Sequence, residues 1–286
     1  MLIIVGAIVV IVTVMGGYVG NGGEIGVLIQ PFEFLIILGA AAGGALIGNP
    51  RRVLSALLKS FGTLMRGSKR NKAGYLELLS LLYSLFRLAK TKGDLALESH
   101  VEKPEESSLF QKFPGFSSDH HVRDFLCDYL RLLTLGTHNA HEVEAIIDEE
   151  IDAHHHEATQ VSDAVTNIAD GLPALGIVAA VLGVIHTMGS ITEPPEVLGH
   201  LIGGALVGTF SGVLFAYGFV GPIGRGLVAI SEAETEYYKC IKSCLLAHMM
   251  GYAPQVSIEF GRKTLSPHVR PNFKEVEETV GNLAPD

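Results

Sequence analysis

The sequence predicts an all-α protein that crosses a membrane four times and carries a helical domain in water. Three observations lead there. Apolar runs long enough to span a bilayer come in two hairpin pairs, 2–19 with 32–47 and 172–188 with 198–220. The stretch between the pairs is polar, and its apolar residues recur at helical spacing. The whole chain, 286 residues at 48% hydrophobic and 18% charged, is too apolar for an ordinary soluble domain and too charged to lie wholly in lipid. The expected division is a transmembrane hairpin at 1–50, a helical cytoplasmic domain at 51–170, a second hairpin at 171–222, and a cytoplasmic helix and tail at 223–286.

The first span, LIIVGAIVVIVTVMGGYV, covers roughly 27 Å as a helix, close to the hydrocarbon thickness. No Lys or Arg precedes it and no small-x-small cleavage site follows, so it reads as a span and not as a cleaved leader. Arg51, Arg52, Lys59, Arg66, Lys69 and Arg70 follow the second span and Arg225 the fourth, whereas the loops 20–30 and 189–199 contain no basic residue. The excess of positive charge on the cytoplasmic side places both termini and the large middle segment in the cytosol.

Small residues mark the spans. Along the third, Pro173, Gly176, Ala180, Gly183 and Thr187 recur at steps of three and four; the fourth carries Gly204, Gly208 and Gly212 with Ala205 and Thr209 adjoining; the second has Gly39 with Gly43 and Gly44 with Gly48. Such faces let backbones approach closely in lipid. The face on the second span is expected to pack within a four-helix bundle. Those on the third and fourth are expected to accept a foreign helix beside a watery seam, with the Thr209 hydroxyl ordering water or an ion. A proton crossing hydrocarbon needs a titratable relay, yet no span has a charged residue at mid-depth. Glu33 lies at the outer lip of the second span, and His186 and His200 flank the outer loop. His186 reads as an interfacial histidine bonded to backbone. The acceptor carboxylate must then come from another subunit.

In the middle segment, AGYLELLSLLYSLFRLAKTKG sets Leu76, Leu79, Leu82, Tyr83 and Phe86 on one side of a helix, with Glu77, Ser80, Ser84 and Arg87 as a polar edge and Gly93 as the stop. VEKPEESSLFQKFPGF reads as a turn-rich linker, and VRDFLCDYLRLLTLG as a second amphipathic helix ending at Gly136. An acid-rich helix runs from about His141 towards the third span. After the fourth span a further helix reaches about Met250, and Pro254, Pro267 and Pro271 then break the chain.

Several function classes fall away. A net charge of −9 supplies no basic stripe to neutralise nucleic-acid phosphates. There is no Gly-rich phosphate loop, no nucleophile elbow and no paired nucleophile and base, so neither enzyme nor cofactor is expected. In DEEIDAHHHEAT, Glu150 with His154 and Asp152 with His156 have metal-pair spacing. His154, His155 and His156 nevertheless point in three directions, and the helix reads as solvated and pH-sensitive. Cys127, Cys240 and Cys244 lie in segments assigned to the reducing cytosol. Cys240 and Cys244, four apart, read as helix-packing residues before a zinc or redox pair.

The stretches GGYVGNGGEIGVLIQPFEFLIILGA, LPALGIVAAVLGVIHTMGS, ALVGTFSGVLFAYGFVGPI and GYAPQVSIEFGRKTL together resemble the MotA family of flagellar motor stator proteins, within the wider MotA/TolQ/ExbB proton channels, along nearly the whole chain. The resemblance implies a four-span subunit of the bacterial inner membrane that assembles as a pentamer around two copies of the single-span partner MotB, whose membrane aspartate takes up protons. It implies a cytoplasmic domain that pushes on the rotor protein FliG. The family's two prolines fall on Pro173 and Pro222, its rotor-engaging acid on Glu98, and its basic counterpart, an arginine, on Lys90. Lys90 lacks the planar fork of an arginine, so the basic contact is read as the cluster Arg87, Lys90 and Lys92. Ala180, Gly183 and Thr209 form the implied ion-pathway wall. Ala180 stands where sodium-driven relatives carry threonine, and a methyl cannot ligate sodium, which favours protons. An ExbB or TolQ type subunit, with three spans and differently placed cytosolic sequence, and a non-conducting membrane scaffold are the alternatives.

Overall fold

The computed structural model describes residues 2–67, 70–137 and 139–283; Lys69, counted above among the basic residues after the second span, lies outside them. Among the described residues there is no strand. Two compact units divide the chain, Met1–Gly67 with Glu157–Ile230 and Ser68–His156 with Ser231–Asp286. Division by packing therefore differs from division by hydropathy, since residues 51–67, 157–170 and 223–230 group with the apolar helices.

In the first unit, α1 (Leu2–Gly20) leads through a turn at Gly22, whose φ of +85° only glycine adopts freely, to the short α2 (Ile25–Leu28) and then to α3 (Pro31–Gly48). Pro31 starts α3, where its missing N–H costs nothing. The helix α4 (Arg51–Arg66) follows at once. The unit also holds the later part of α10 (Ala140–Met188), α11 (Pro195–Phe215), a π-helical turn at Ala216–Val220, and the start of α12 (Gly221–Met249). Four helices are long and apolar enough to cross a membrane. With 49 residues, α10 is about 74 Å long, and its third span is the last part of one unbroken helix. No residue of α1 is buried. Ile37, Leu172, Ala179 and Ala216 form the unit's small apolar cluster, and Phe34 packs against Phe215 with ring centroids 6.0 Å apart.

The second unit is built as proteins in water are. Its core joins Tyr75, Leu78, Leu79, Leu82, Leu85 and Phe86 of α5 (Lys72–Lys92), Phe125, Leu126 and Leu130 of α9 (His120–Thr134), and Tyr237, Ile241 and Leu245 of α12. The Asn71 side chain caps α5 at Gly74 N–H, and Gly93, at φ +86°, ends it. Two expectations need correction here. Ser80 and Ser84, assigned to a polar edge, are buried; their hydroxyls donate to the carbonyls of Leu76 at 2.7 Å and Ser80 at 3.0 Å, so the helix satisfies them itself. The stretch read as a linker follows a 3₁₀ turn (Asp94–Leu97), begins in the end of α6 (Glu98–Glu102) and forms α7 (Ser108–Gln111) and α8 (Pro114–Ser117), burying Leu109, Phe110, Phe113 and Phe116. Aromatic side chains every third residue outweigh the turn-forming Pro and Ser, and Glu77 holds the segment by accepting the Gly115 N–H at 2.7 Å. Beyond Met250, Pro254 begins α13 (Pro254–Thr264) in the place a helix tolerates proline, and α14 (Phe273–Gly281) opens on a capping box between Asn272 and Glu275.

Candidate functional site

The small residues of the third and fourth spans meet each other. A methyl group built on Gly176 would lie 2.8 Å from the Gly208 carbonyl oxygen and 3.1 Å from Gly212 Cα; one on Gly212 would lie 2.6 Å from the Leu172 carbonyl, and one on Gly183 would lie 2.7 Å from Ala205 Cβ. At Gly176 and Gly212 the opposing atoms are backbone and at Gly183 a methyl group, so each glycine sits where a side chain of its own would not fit. Ala180, 9% exposed, is in the same seam, since a methyl on Gly208 would lie 3.0 Å from its nitrogen. Half-buried Thr209 is there too, 3.3 Å from the position of a Gly176 methyl. The structure thus brings Ala180, Gly183 and Thr209 together, but the faces expected to accept a foreign helix are taken up by the chain's own two spans. The reverse holds for the second span: a methyl on Gly39, Gly43, Gly44 or Gly48 meets nothing within 4 Å, so the packing expected of them is not made within the chain.

Along the seam Thr187 donates its hydroxyl to the Gly183 carbonyl at 2.9 Å. His186 and His200 are exposed and Glu33 is half-buried near its helix start. The residues at mid-depth of the seam offer hydroxyls, backbone and methyl groups, with no side chain able to take up a proton at neutral pH.

Pro173 sits inside α10 and does not begin a helix. Its ring removes the N–H that would bond the Ala169 carbonyl, so the ladder is weakened where the third span starts. Exposed Pro222 follows the π-helical turn Ala216–Val220, in which the Gly221 N–H reaches the Ala216 carbonyl five residues back. A residue lacking its own N–H makes such a wide turn cheap, and Gly221 leaves it room, because a methyl there would lie 2.9 Å from that carbonyl. Sequence reading located the proline and missed the π turn; Gly218 and Gly221 beside Pro222 were the available signal.

In the second unit, Gly93 reverses the chain after α5, and the 3₁₀ turn Asp94–Leu97 folds back so that Leu97 joins the core beside α5. Glu98 therefore follows close on the C-terminal turn that bears Lys90 and Lys92. Lys90 Nζ donates to the Gly251 carbonyl at 3.2 Å. Among the described residues, Arg87, Lys90, Lys92 and Glu98 enter no ion pair. Other cations of this unit are engaged: Arg70 bridges Asp119 at 2.7 Å and Glu234 at 2.5 Å while lying 4.1 Å over the Tyr237 ring, and Lys242 meets Asp148 at 2.7 Å. Arg70 was read only as a topological signal, yet these carboxylates and the ring make it the clamp at the start of this unit. Near Lys90, His248 is stacked on Phe86 with centroids 4.4 Å apart, and its buried Nδ1 has no hydrogen-bond partner. Burial holds this imidazole below its ordinary value, Lys90 adds to that, and Asp94 opposes it.

The histidine run divides as its spacing demanded. His154 stacks on Tyr238 and lies 3.9 Å from Glu150, which accepts the Tyr129 hydroxyl at 2.5 Å, while His155 bonds Thr235 at 2.9 Å. No group of three metal-ligating side chains comes together among the described residues. Cys240 and Cys244 are fully buried against Gly261, and burial pushes the Cys127 thiol up to about 12, so it stays protonated at neutral pH.

Four helices apolar enough to cross a membrane, a glycine seam and spans without a charged side chain at mid-depth fit a membrane channel subunit. Residues 117–239 match the MotA/TolQ/ExbB proton channel family, and residues 4–93 match the Motility protein A N-terminal region. Motility protein A of Escherichia coli K12 is 45% identical over 280 residues, covering 98% of this chain and 95% of that protein; the chemotaxis protein LafT of Vibrio parahaemolyticus is 35% identical, covering 96% of each. The chain belongs to the motility protein A family. Its fold matches that of the C. jejuni MotAB structure, with a TM-score of 0.78 at 21% identity over 93% of this chain and 95% of that one. It also matches the MotAB stator complex of Bacillus subtilis, with a TM-score of 0.73 at 25% identity over 90% and 92%. The chain is a proton-channel stator subunit of the bacterial flagellar motor, a protein of the inner membrane, and that role is transport and not catalysis.

Proposed function

We propose that this chain assembles as a homopentamer around two copies of MotB, that both its termini face the cytoplasm, and that its second unit delivers torque to the rotor protein FliG. The observation that carries the reading is the absence of any mid-depth titratable side chain from the four spans, which leaves the proton acceptor to a partner. The partner carboxylate is charged while open to the outer side, is neutralised on taking a proton, and changes its fit beside Ala180, Gly183 and Thr209. Losing the proton inward resets it. A potential of 100 mV supplies about 2.3 kcal/mol per charge, enough to shift one glycine-lined helix contact against another. The Ala180 methyl gives sodium no ligand, which favours protons as the coupling ion.

Movement passes through α10 at Pro173 and α12 at Pro222, where each ladder is already weakened, into the second unit, to which both helices continue. Arg87, Lys90 and Glu98 then engage the rotor; that they enter no ion pair among the described residues supports this, because a charge already neutralised inside the chain has less to offer a partner. Membrane lipid surrounds the outer helices. Deleting the gene should leave filaments present but paralysed, with swimming restored by complementation. Normal swimming in the deletion strain, with no second stator present, would count against the torque reading.

A further inference from the structure

The second unit leaves an apolar patch facing water. The turn at Gly251, whose φ is +87°, carries the chain from α12 to α13, and around it Met250, Tyr252, Val256 and Phe260 are each at least 43% exposed. They are neighbours and not scattered side chains: the Tyr252 and Phe260 rings lie 5.1 Å apart, and Val256 stands one helical turn before Phe260 on the same face of α13. The inner face of α13 is spent on folding, with Ser257, Ile258 and Gly261 buried and Gly261 set against Cys240 and Cys244 of α12. The patch has a cation at each end. Lys90 reaches the Gly251 carbonyl beside Tyr252, and Lys263 continues the strip two turns after Val256, roughly 10 Å further along the helix. Neither lysine enters an ion pair among the described residues, whereas Glu259, the only acid of α13, is engaged by Arg262 at 2.5 Å.

We infer that this patch is an apolar part of the rotor contact, and that its occupant is an amphipathic helix of the rotor protein whose apolar strip is flanked by carboxylates. The inference rests on the proposed reading that Lys90 faces the rotor. Apolar side chains gathered on a domain in water mark a docking surface. A strip two turns long suits the apolar face of a helix, and an unpaired cation at each end selects an acidic partner. Charge pairs alone are screened by salt; Tyr252, Val256 and Phe260 give the contact a component that salt does not weaken. A second copy of the same face is the poorer occupant, because its lysines would meet their like.

Binding of purified FliG to the full chain, co-purified with its single-span partner, is measured at about 0.1 M and about 1 M salt, between which the screening length falls from ~10 Å to ~3 Å. Val256→Ser with Phe260→Ser should weaken binding about ten-fold at both salt concentrations. Lys90→Gln with Lys263→Gln should weaken it about five-fold at the lower salt and leave it unchanged at the higher. Equal binding by the serine variant and the unsubstituted complex, with Glu98→Lys still weakening it, would overturn the apolar contact and leave the rotor reading standing. Binding untouched by all three changes would remove the rotor reading as well. A benzophenone amino acid at position 256, which keeps a large apolar side chain, gives an independent readout in swimming cells and decides the matter if the serine variant is not recovered with the partner. An adduct with FliG is the result expected. An adduct between two copies of this chain, an adduct with lipid, or no adduct at all overturns the inference.

Discussion

The two units hold their helices together by opposite means. Between the third and fourth spans the contact at Gly176, Gly208 and Gly212 works because the side chains are missing, whereas the second unit fills its centre with Leu79, Leu82, Phe86 and Phe110. In lipid no hydrophobic gain rewards bringing apolar helices together, so close backbone contact must do it; in water each buried Å² of apolar surface is worth roughly 25 cal/mol. The same difference sorts the charges. The second unit can bury Arg70 because Asp119, Glu234 and the Tyr237 ring surround it, while the spans keep charged side chains away from mid-depth, as expected if a partner supplies the proton carrier.

Substitutions of opposite sign sharpen this contrast. Phe86→Ala, which opens space in the water-solvated core and removes the stacking partner of His248, should cost about 3–5 kcal/mol, read as a lower midpoint of the helical signal of the full chain on heating. Gly212→Ala adds only a methyl, but against the Leu172 backbone, and should cost about 1–3 kcal/mol, read as reduced recovery of the complex with the partner. Gly39→Ala, whose methyl meets nothing within 4 Å among the described residues, is the matched control and should leave chain stability unchanged; a loss of complex there would assign the open face of the second span to subunit contacts.

His248 gives a smaller, pH-dependent effect. Its folded value is depressed from the ordinary 6.5 by burial, so above that pH both states are neutral and its contribution is intact. As pH falls below it, the unfolded chain takes a proton that the folded chain resists, and stability drops by at most about 1.4 kcal/mol per pH unit. His248→Phe, which keeps a ring against Phe86, should flatten the fall in melting temperature between about pH 7 and pH 5 relative to wild type. Smallest for folding is Glu98→Lys, an exposed residue with no ion pair among the described residues; its stability should move by no more than about 0.5 kcal/mol while motility is lost. Unimpaired swimming in that variant would remove Glu98 from the rotor surface.

The spans were legible in the sequence because length without charge is a sufficient sign of a membrane crossing. Which small face packs on which was not. Gly39–Gly43 and Gly204–Gly208 look alike as text, yet the first pair is open while Gly204 meets Gln30 and Gly208 meets Ala179 and Gly176, a difference set by residues distant in sequence. The role of Phe110, Phe113 and Phe116 was masked by the prolines and serines around them, whose turn signal is local while burial is not. Ser80 and Ser84 misled in the same way, since a serine that bonds its own helix can be buried at little cost. The assignment of Arg87, Lys90 and Glu98 to the rotor surface rests on family resemblance alone; the structure adds that the turn at Gly93 carries the chain from the helix end bearing Lys90 to Glu98.

The central claim is that this chain shapes a proton path and supplies no proton carrier. Proton uptake should be followed in cells or vesicles holding the chain alone, the chain with its single-span partner, and the chain with a partner whose membrane carboxylate is replaced by the amide. Uptake in the second case only is the result expected. Uptake through the chain alone, or through the amide complex at the same rate, would contradict the account.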